Sequence, residues 1–218
     1  MTTQTLSPSP VYQGQFGEFT INQSDRTSVI IYRAGLMIAA LSFAIGTALT
    51  LFYNNPTTIQ AITPLYTCFS LALGVSLLTI HIYMAPLHRI LQVFWLIGSI
   101  SAFIFAHFDS QPFAVTVYTN PLTILGIGFT FAALTGIYFK EAFCFNRLET
   151  KALTFTVPIL LLGHLVGVLP IQLEQILLGV WATLFLVFAL RKTFQAIPAD
   201  IGDKSVFAYL KAQSSAKV

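Results

Sequence analysis

Two places in this 218-residue sequence carry side chains that could do chemistry. The first is His164, alone in the apolar passage "PILLLGHLVGVLP". An imidazole in such a setting can ligate a porphyrin-type pigment or haem, relay a proton, or hydrogen-bond a neighbouring helix, and helix packing is the commonest of these. The second is "GIYFKEAFCFNRLETKA", which starts at Gly136. The chain has 11 basic and 8 acidic residues, and five of these nineteen, Lys140, Glu141, Arg147, Glu149 and Lys151, fall within twelve positions there. If a helix continues through the passage, Lys140, Cys144, Arg147 and Lys151 recur at i, i+4, i+7 and i+11 and share an arc of roughly 60°. Such a cationic stripe suits docking onto anionic lipid headgroups or an acidic partner surface. Cations beside Cys144 also favour its thiolate, although no resolving cysteine is near it for redox sensing.

Other chemistry is thin. Counting from the span ends below, His81 lies ~5 Å deep and His164 ~16 Å, close to the midplane, an offset too large for one metal. His88 falls in a short break, and His107 sits at the far end of a span beside Asp109. Neither HExxH, GxSxG nor a phosphate-binding glycine loop occurs, and mid-span positions lack Asp. Cys68 and Cys144, 76 positions apart, make no CxxC motif or disulfide framework. The reading is of a non-enzyme with no catalytic or metal-binding residues and no cofactor, His164 being the one weak cofactor-binding candidate.

The elements that position these residues follow from composition. With 56% hydrophobic and 9% charged residues and a mean hydropathy of +0.77, the chain reads as an all-α polytopic membrane bundle. A net charge of +3 without any recognition motif excludes nucleic acid as a partner. A hydrocarbon core about 30 Å thick needs about 20 apolar helical residues. Six stretches qualify, at 29–53, 64–84, 90–108, 122–139, 153–169 and 171–190. Residues 1–28 read as a polar N-terminal segment without a secretory signal. Its "SPSP" is flexible or extended, and Tyr12, Phe16 and Phe19 lie at the membrane surface. Residues 191–218 read as a tail whose 203–212 stretch forms a short amphipathic helix with Val206, Phe207 and Leu210 on its apolar side.

Six spans put all 11 basic residues on one side, leaving Asp109 and Glu174 opposite. The positive-inside rule then assigns both termini to the cytoplasmic side, and the charged passage becomes a loop whose charge topology alone requires. Arg33 snorkels, and Glu174 is solvated at the far interface. Small residues recur at fourfold spacing at Gly98, Ala102 and Ala106, at Gly128, Ala132 and Gly136, and at Gly163 and Gly167. These rows fit close helix packing within the bundle or contact with another subunit.

The stretches "TGIYFKEAFCFNRLE", "PILLLGHLVGVLP" and "RKTFQAIPADIGDKSVFAYL" resemble a family of uncharacterised small integral membrane proteins of cyanobacteria and plastids, known as a domain of unknown function. The resemblance covers about 12–210, implies a bacterial cytoplasmic or thylakoid membrane, and carries over no catalytic residue. Together these features point first to an accessory or assembly protein packed against a larger, photosynthetic membrane complex. Its partners would be lipids and other subunits. A small-solute transporter or channel is the alternative, with Pro158 near His164 as its best hint, and pigment or haem binding through His164 is a weaker one.

Overall fold

The computed structural model describes residues 10–53 and 55–215, so Ser7, Pro8 and Ser9 of "SPSP" lie outside the described residues, as does Lys217. An antiparallel hairpin, β1 (Val11–Gly14) and β2 (Gly17–Thr20), comes first. The long helices are α1 (Gln23–Phe52), α2 (Pro56–Thr79) and α3 (Ala85–Phe108). A short α4 (Phe113–Thr119) precedes α5 (Ile124–Phe145), α6 (Leu148–Leu165) and α7 (Ile171–Phe194). The tail holds α8 (Ile197–Ile201) and α9 (Lys204–Ser215).

Cap chemistry sets several boundaries. Asn22 and Asp25 close a reciprocal capping box on α1, each side-chain oxygen accepting the other's backbone N–H at 2.9 Å. Asn55 and Thr58 do the same for α2, with Pro56 at the first helical position. That moves the start of the second helix from the expected 64 to 56: the Asn-Pro-Thr-Thr run that resembles a loop is an N-terminal cap. α5 and α6 are separated by Asn146, the one non-glycine residue with positive φ (52°) among those described. Its left-handed conformation ends α5, and α6 restarts two residues later.

Five helices are long and apolar enough to cross a membrane: α1, α2, α3, the Pro121–Phe145 segment and α7. The sixth expected span, 153–169, is α6, 18 residues long, with Glu149 and Lys151 in its first turns. It runs antiparallel to α7, tied at one end by Arg191 to Glu149 (2.9 Å) and at the other by His164 to Glu174 (2.7 Å). Fifteen residues of α6 between these ties cover ~22 Å and seventeen of α7 cover ~26 Å, so α6 traverses nearly the depth of its neighbour.

Of the expected small-residue rows, Gly98 and Gly136 face another helix closely, whereas Gly128, Gly163 and Gly167 do not. A Cβ on Gly98 would stand 2.3 Å from the Thr130 backbone nitrogen, and one on Gly35 2.7 Å from the Ala72 carbonyl oxygen. Gly136 receives the Leu91 side chain. Tyr32, Leu36, Phe69, Leu73, Leu134, Tyr138, Phe185 and Phe188 form the centre of the core.

The hairpin and the α8–α9 tail meet at one end of the bundle, here the near end. Phe16 stacks on Tyr209 (4.0 Å), and the backbone N–H groups of Gln15 and Phe16 donate to Asp203 (2.6 Å) and Ser205 (3.0 Å). Tyr83, between α2 and α3, packs against Phe207 in a tilted pair with centroids 4.9 Å apart. Residues 12, 16 and 19 thus belong to a folded hairpin joined to the tail, and α9 packs Phe207 against Tyr83 while Leu210 is exposed.

Candidate functional site

Two polar sites lie at opposite ends of the bundle, separated by a layer of aromatic rings.

At the near end α7 delivers Lys192 into the protein, where the residue is 0% exposed. Its ammonium donates to Glu141 of α5 (2.8 Å) and to Asp200 of α8, and lies 4.6 Å above the Phe145 ring. Glu141, also 0% exposed, accepts from Lys140 (2.8 Å) and from the Tyr32 hydroxyl (3.3 Å). Asp200 accepts from Arg33 Nε (2.8 Å) and Nη2 (2.5 Å) and from Gln195 (3.0 Å). Three cations therefore meet two carboxylates, and residues from α1, α5, α7 and α8 are bound in one knot. An isolated buried ammonium would cost several kcal/mol, and the two carboxylates with their further donors compensate for it.

This knot accounts for much of the charged passage. Lys140 points to Glu141, and Arg147 donates to Gln195 (2.6 Å). Asn146 interrupts the helix between Cys144 and Arg147, so the four residues of the expected stripe do not lie on one continuous helix. Cys144 and Lys151 are exposed. Arg33 is held by Asp200 rather than by headgroups. His81, in the loop beyond α2, is half-buried, and burial holds its imidazole below the ordinary histidine value.

Toward the other end, Phe43, Phe69, Phe131 and Trp181 pack ring against ring, with Phe43 and Trp181 centroids 4.4 Å apart. Trp181 donates to the Tyr138 hydroxyl at 3.3 Å, on the side of the ion-pair knot. On the opposite side a cavity of about 490 Å³ opens between α1, α2, α4, α5, α6 and α7. Phe43, Tyr66, Phe69 and Phe131 form its floor, while Leu51, Thr58, Thr119 and Gln175 belong to the far ends of its walls. α4 lies over α2, with Phe113 against Tyr66 (5.0 Å).

Besides hydroxyl and amide side chains such as Ser42, Thr47 and Gln175, the cavity lining contains an acid–imidazole pair: His164 Nδ1 faces Glu174 Oε1 at 2.7 Å, the two side chains 16% and 13% exposed. Tyr118 of α4 lies 5.2 Å from the His164 ring, and burial together with the adjacent Glu174 carboxylate pushes its hydroxyl above the ordinary tyrosine value. His164 occupies the last turn of α6, not the expected midplane depth, because α6 starts five residues earlier than 153 and stops at Leu165. Glu174, expected to be solvated, is its partner. His81 and His164 lie at opposite ends, and no group of three potential metal-ligating residues exists among those described.

Residues 75–209 match the family described as "Uncharacterized integral membrane protein (DUF2301)". That is 135 of the 218 residues. The chain belongs to this family. The DUF2301 match runs from the last five residues of α2 into α9 and takes in Glu141, Lys192 and Asp200 of the knot and both members of the His164–Glu174 pair. It leaves out α1 and the hairpin. No curated protein and no solved structure matches the chain.

Proposed function

We propose that this integral membrane protein is a non-enzymatic carrier that binds a small, largely apolar solute in the far-end cavity and passes it across or out of the membrane. One observation carries the reading: a volume of about 490 Å³, walled by six helices, is mainly apolar and aromatic but contains one His–Glu pair. Binding sites for small molecules combine an apolar wall with a few converging polar groups in this way. The opposite end is closed by the aromatic layer and the knot, the arrangement of a transporter open on one side. All described basic residues cluster at the closed end, which supports a cytoplasmic position for that end and for both termini. The stretches resembling cyanobacterial and plastid proteins support a bacterial cytoplasmic or thylakoid membrane.

The test is native mass spectrometry of protein released from nanodiscs. Gly46 lines the cavity, and a Cβ there would meet only side-chain tips at 3.8 Å and beyond. Gly46→Trp therefore starts its side chain into open space on the cavity wall. The wild type should carry a small-molecule adduct that Gly46→Trp lacks; no adduct on the wild type, and no thermal stabilisation by apolar solutes, would reject the carrier reading.

An accessory role beside a larger complex is the second reading. α3 is covered mainly by α5, leaving Val93, Ile97, Ile100 and Ile104 facing outward on one side. Lys151 and Cys144, at the near face, fit lipid headgroups or a partner subunit. Copurification of a stoichiometric subunit, lost on replacing Ile97 and Ile104 by Trp, would favour this role.

A further inference from the structure

We infer that the solute of the far-end cavity is a hydrophobic organic monocation, taken up in exchange for one proton from the His164–Glu174 pair. The inference rests on the carrier reading and adds charge and coupling to it.

Charge complementarity carries it. The cavity lining contains a carboxylate and an imidazole but neither Lys nor Arg. The described basic residues are gathered beyond the aromatic layer, in or around the knot and the tail. An anion entering the cavity would meet no compensating charge, and a buried uncompensated anion is strongly disfavoured. A cation would meet Glu174 and several ring faces, including Phe43, Tyr66, Phe113 and Tyr118. Cations are attracted to such faces by the ring quadrupole, more strongly when water is excluded.

The pair supplies the exchange. With Nδ1–H donating to Glu174, the remaining proton site is Nε2. When Nε2 is also protonated, imidazolium and carboxylate sum to zero charge and the empty cavity is neutral. When Nε2 releases its proton to water, the pair carries one negative charge, which one bound monocation neutralises. One cation enters, one proton leaves, and no bond other than Nε2–H is broken. The titratable groups facing Glu174 are His164 from α6 and Tyr118 from α4. Ser42 to Phe52 of α1, the last 11 of its 30 residues, has no ionisable side chain, and the cavity-lining part of α2 contributes only the Tyr66 phenol. Protonation at Nε2 competes with the cation, so affinity is lower at lower pH.

Tetraphenylphosphonium and tetraphenylborate, nearly identical in size and shape and opposite in charge, separate the two layers of the claim. Each is titrated calorimetrically into protein in nanodiscs of neutral lipid, with empty nanodiscs subtracted, at several pH values and in two buffers of different protonation enthalpy. The expected result is one phosphonium per chain, about one proton released, no borate binding, and loss of binding in Gly46→Trp. Glu174→Gln, which keeps the side-chain shape, should weaken phosphonium binding about tenfold or more, as removal of one charged partner from a desolvated contact does. Equal binding of both ions, abolished by Gly46→Trp, would overturn the cation inference and leave the carrier reading standing. Phosphonium binding unchanged by pH or by Glu174→Gln would do the same. Failure of both ions to bind the wild type would overturn the cation inference, and the absence of any cavity-dependent adduct would take the carrier reading with it.

Discussion

The two ends of this bundle bury charge in opposite ways. At the near end two carboxylates and three cations are interlocked, every buried oxygen of Glu141 and Asp200 has a donor, and residues from the hairpin and tail lie over the top. At the far end one carboxylate and one imidazole face each other beside open space. The knot, with a donor for each oxygen of Glu141 and Asp200, fixes one arrangement of helices, although Arg147 Nη1 and Glu149 Oε1 beside it are buried without a partner, whereas a pair next to a cavity retains capacity for a ligand or a proton. The difference is what supports the proposal of architecture at the near end and recognition at the far end.

The sharpest way to break that division is to remove a charge from each end and compare. Lys192→Met leaves Glu141 and Asp200 without their shared ammonium and should destabilise the protein by about 3–5 kcal/mol, the usual cost of breaking a buried ion pair from one side. Denaturant unfolding in detergent measures it, and a loss below about 1 kcal/mol would show that the knot is dispensable. Asn146→Ala comes next. It forces a β-carbon residue without Asn's local hydrogen-bonding into the left-handed turn that aims Arg147 at Gln195, at a cost of about 1–2 kcal/mol, while Asn146→Gly should be nearly neutral. Equal destabilisation by both would mean that the side chain, not the backbone angle, matters there. At the far end Glu174→Gln should cost only about 0.6 kcal/mol in the same assay, the average for a polar contact between membrane helices. A loss as large as that of Lys192→Met would erase the contrast between the ends.

The smallest effect concerns the near-end cap. Hydrogen bonds from Ser205 and from the Gln15 backbone hold the Asp203 carboxyl below its ordinary value. A depressed folded-state value means that the carboxylate's contribution is complete above the unfolded value, about 4, and is lost as pH falls through the folded one. Amide exchange at Gln15 and Phe16, corrected for intrinsic rates, should therefore accelerate below about pH 4. Asp203→Asn should show the faster exchange already at neutral pH, with the bundle amides unaffected.

How legible was this in the sequence? The all-α bundle was, because a 1.5 Å rise and a 30 Å hydrocarbon core turn span length into a count, although six stretches were counted where five helices are long and apolar enough to cross. Cap residues were harder: Asn55, Pro56 and Thr58 have the composition of a turn, and only their hydrogen bonds reveal the start of α2. Val11 to Thr20 is too short for periodicity to declare a hairpin, and its docking partner lies nearly 190 positions away. The knot was hidden for the same reason. Glu141 is 51 positions from Lys192 and 109 from Tyr32, and each looks locally like an ordinary interfacial residue. One signal was available: Lys192 follows Arg191 at the end of a span while Asp200, eight positions on, is a carboxylate within reach of a folded-back tail. His164 and Glu174 were visible individually. Their pairing required knowing that α6 ends one residue after His164 and that α7 starts back at once, and a cavity has no residue of its own to read.

The central claim, closed near end and open far end, is tested most directly by thiol accessibility in oriented vesicles. Cys144 is exposed at the near end, and Ser42 lines the cavity. Two variants, one with Cys144 as the single thiol (Cys68→Ser) and one with Ser42→Cys as the single thiol (Cys68→Ser, Cys144→Ser), are treated with a membrane-impermeant cationic methanethiosulfonate in right-side-out and inside-out vesicles. The account predicts labelling of Cys144 only from the cytoplasmic face and of position 42 only from the opposite face. Labelling of both from the same face, or of position 42 from the cytoplasmic face, would contradict it.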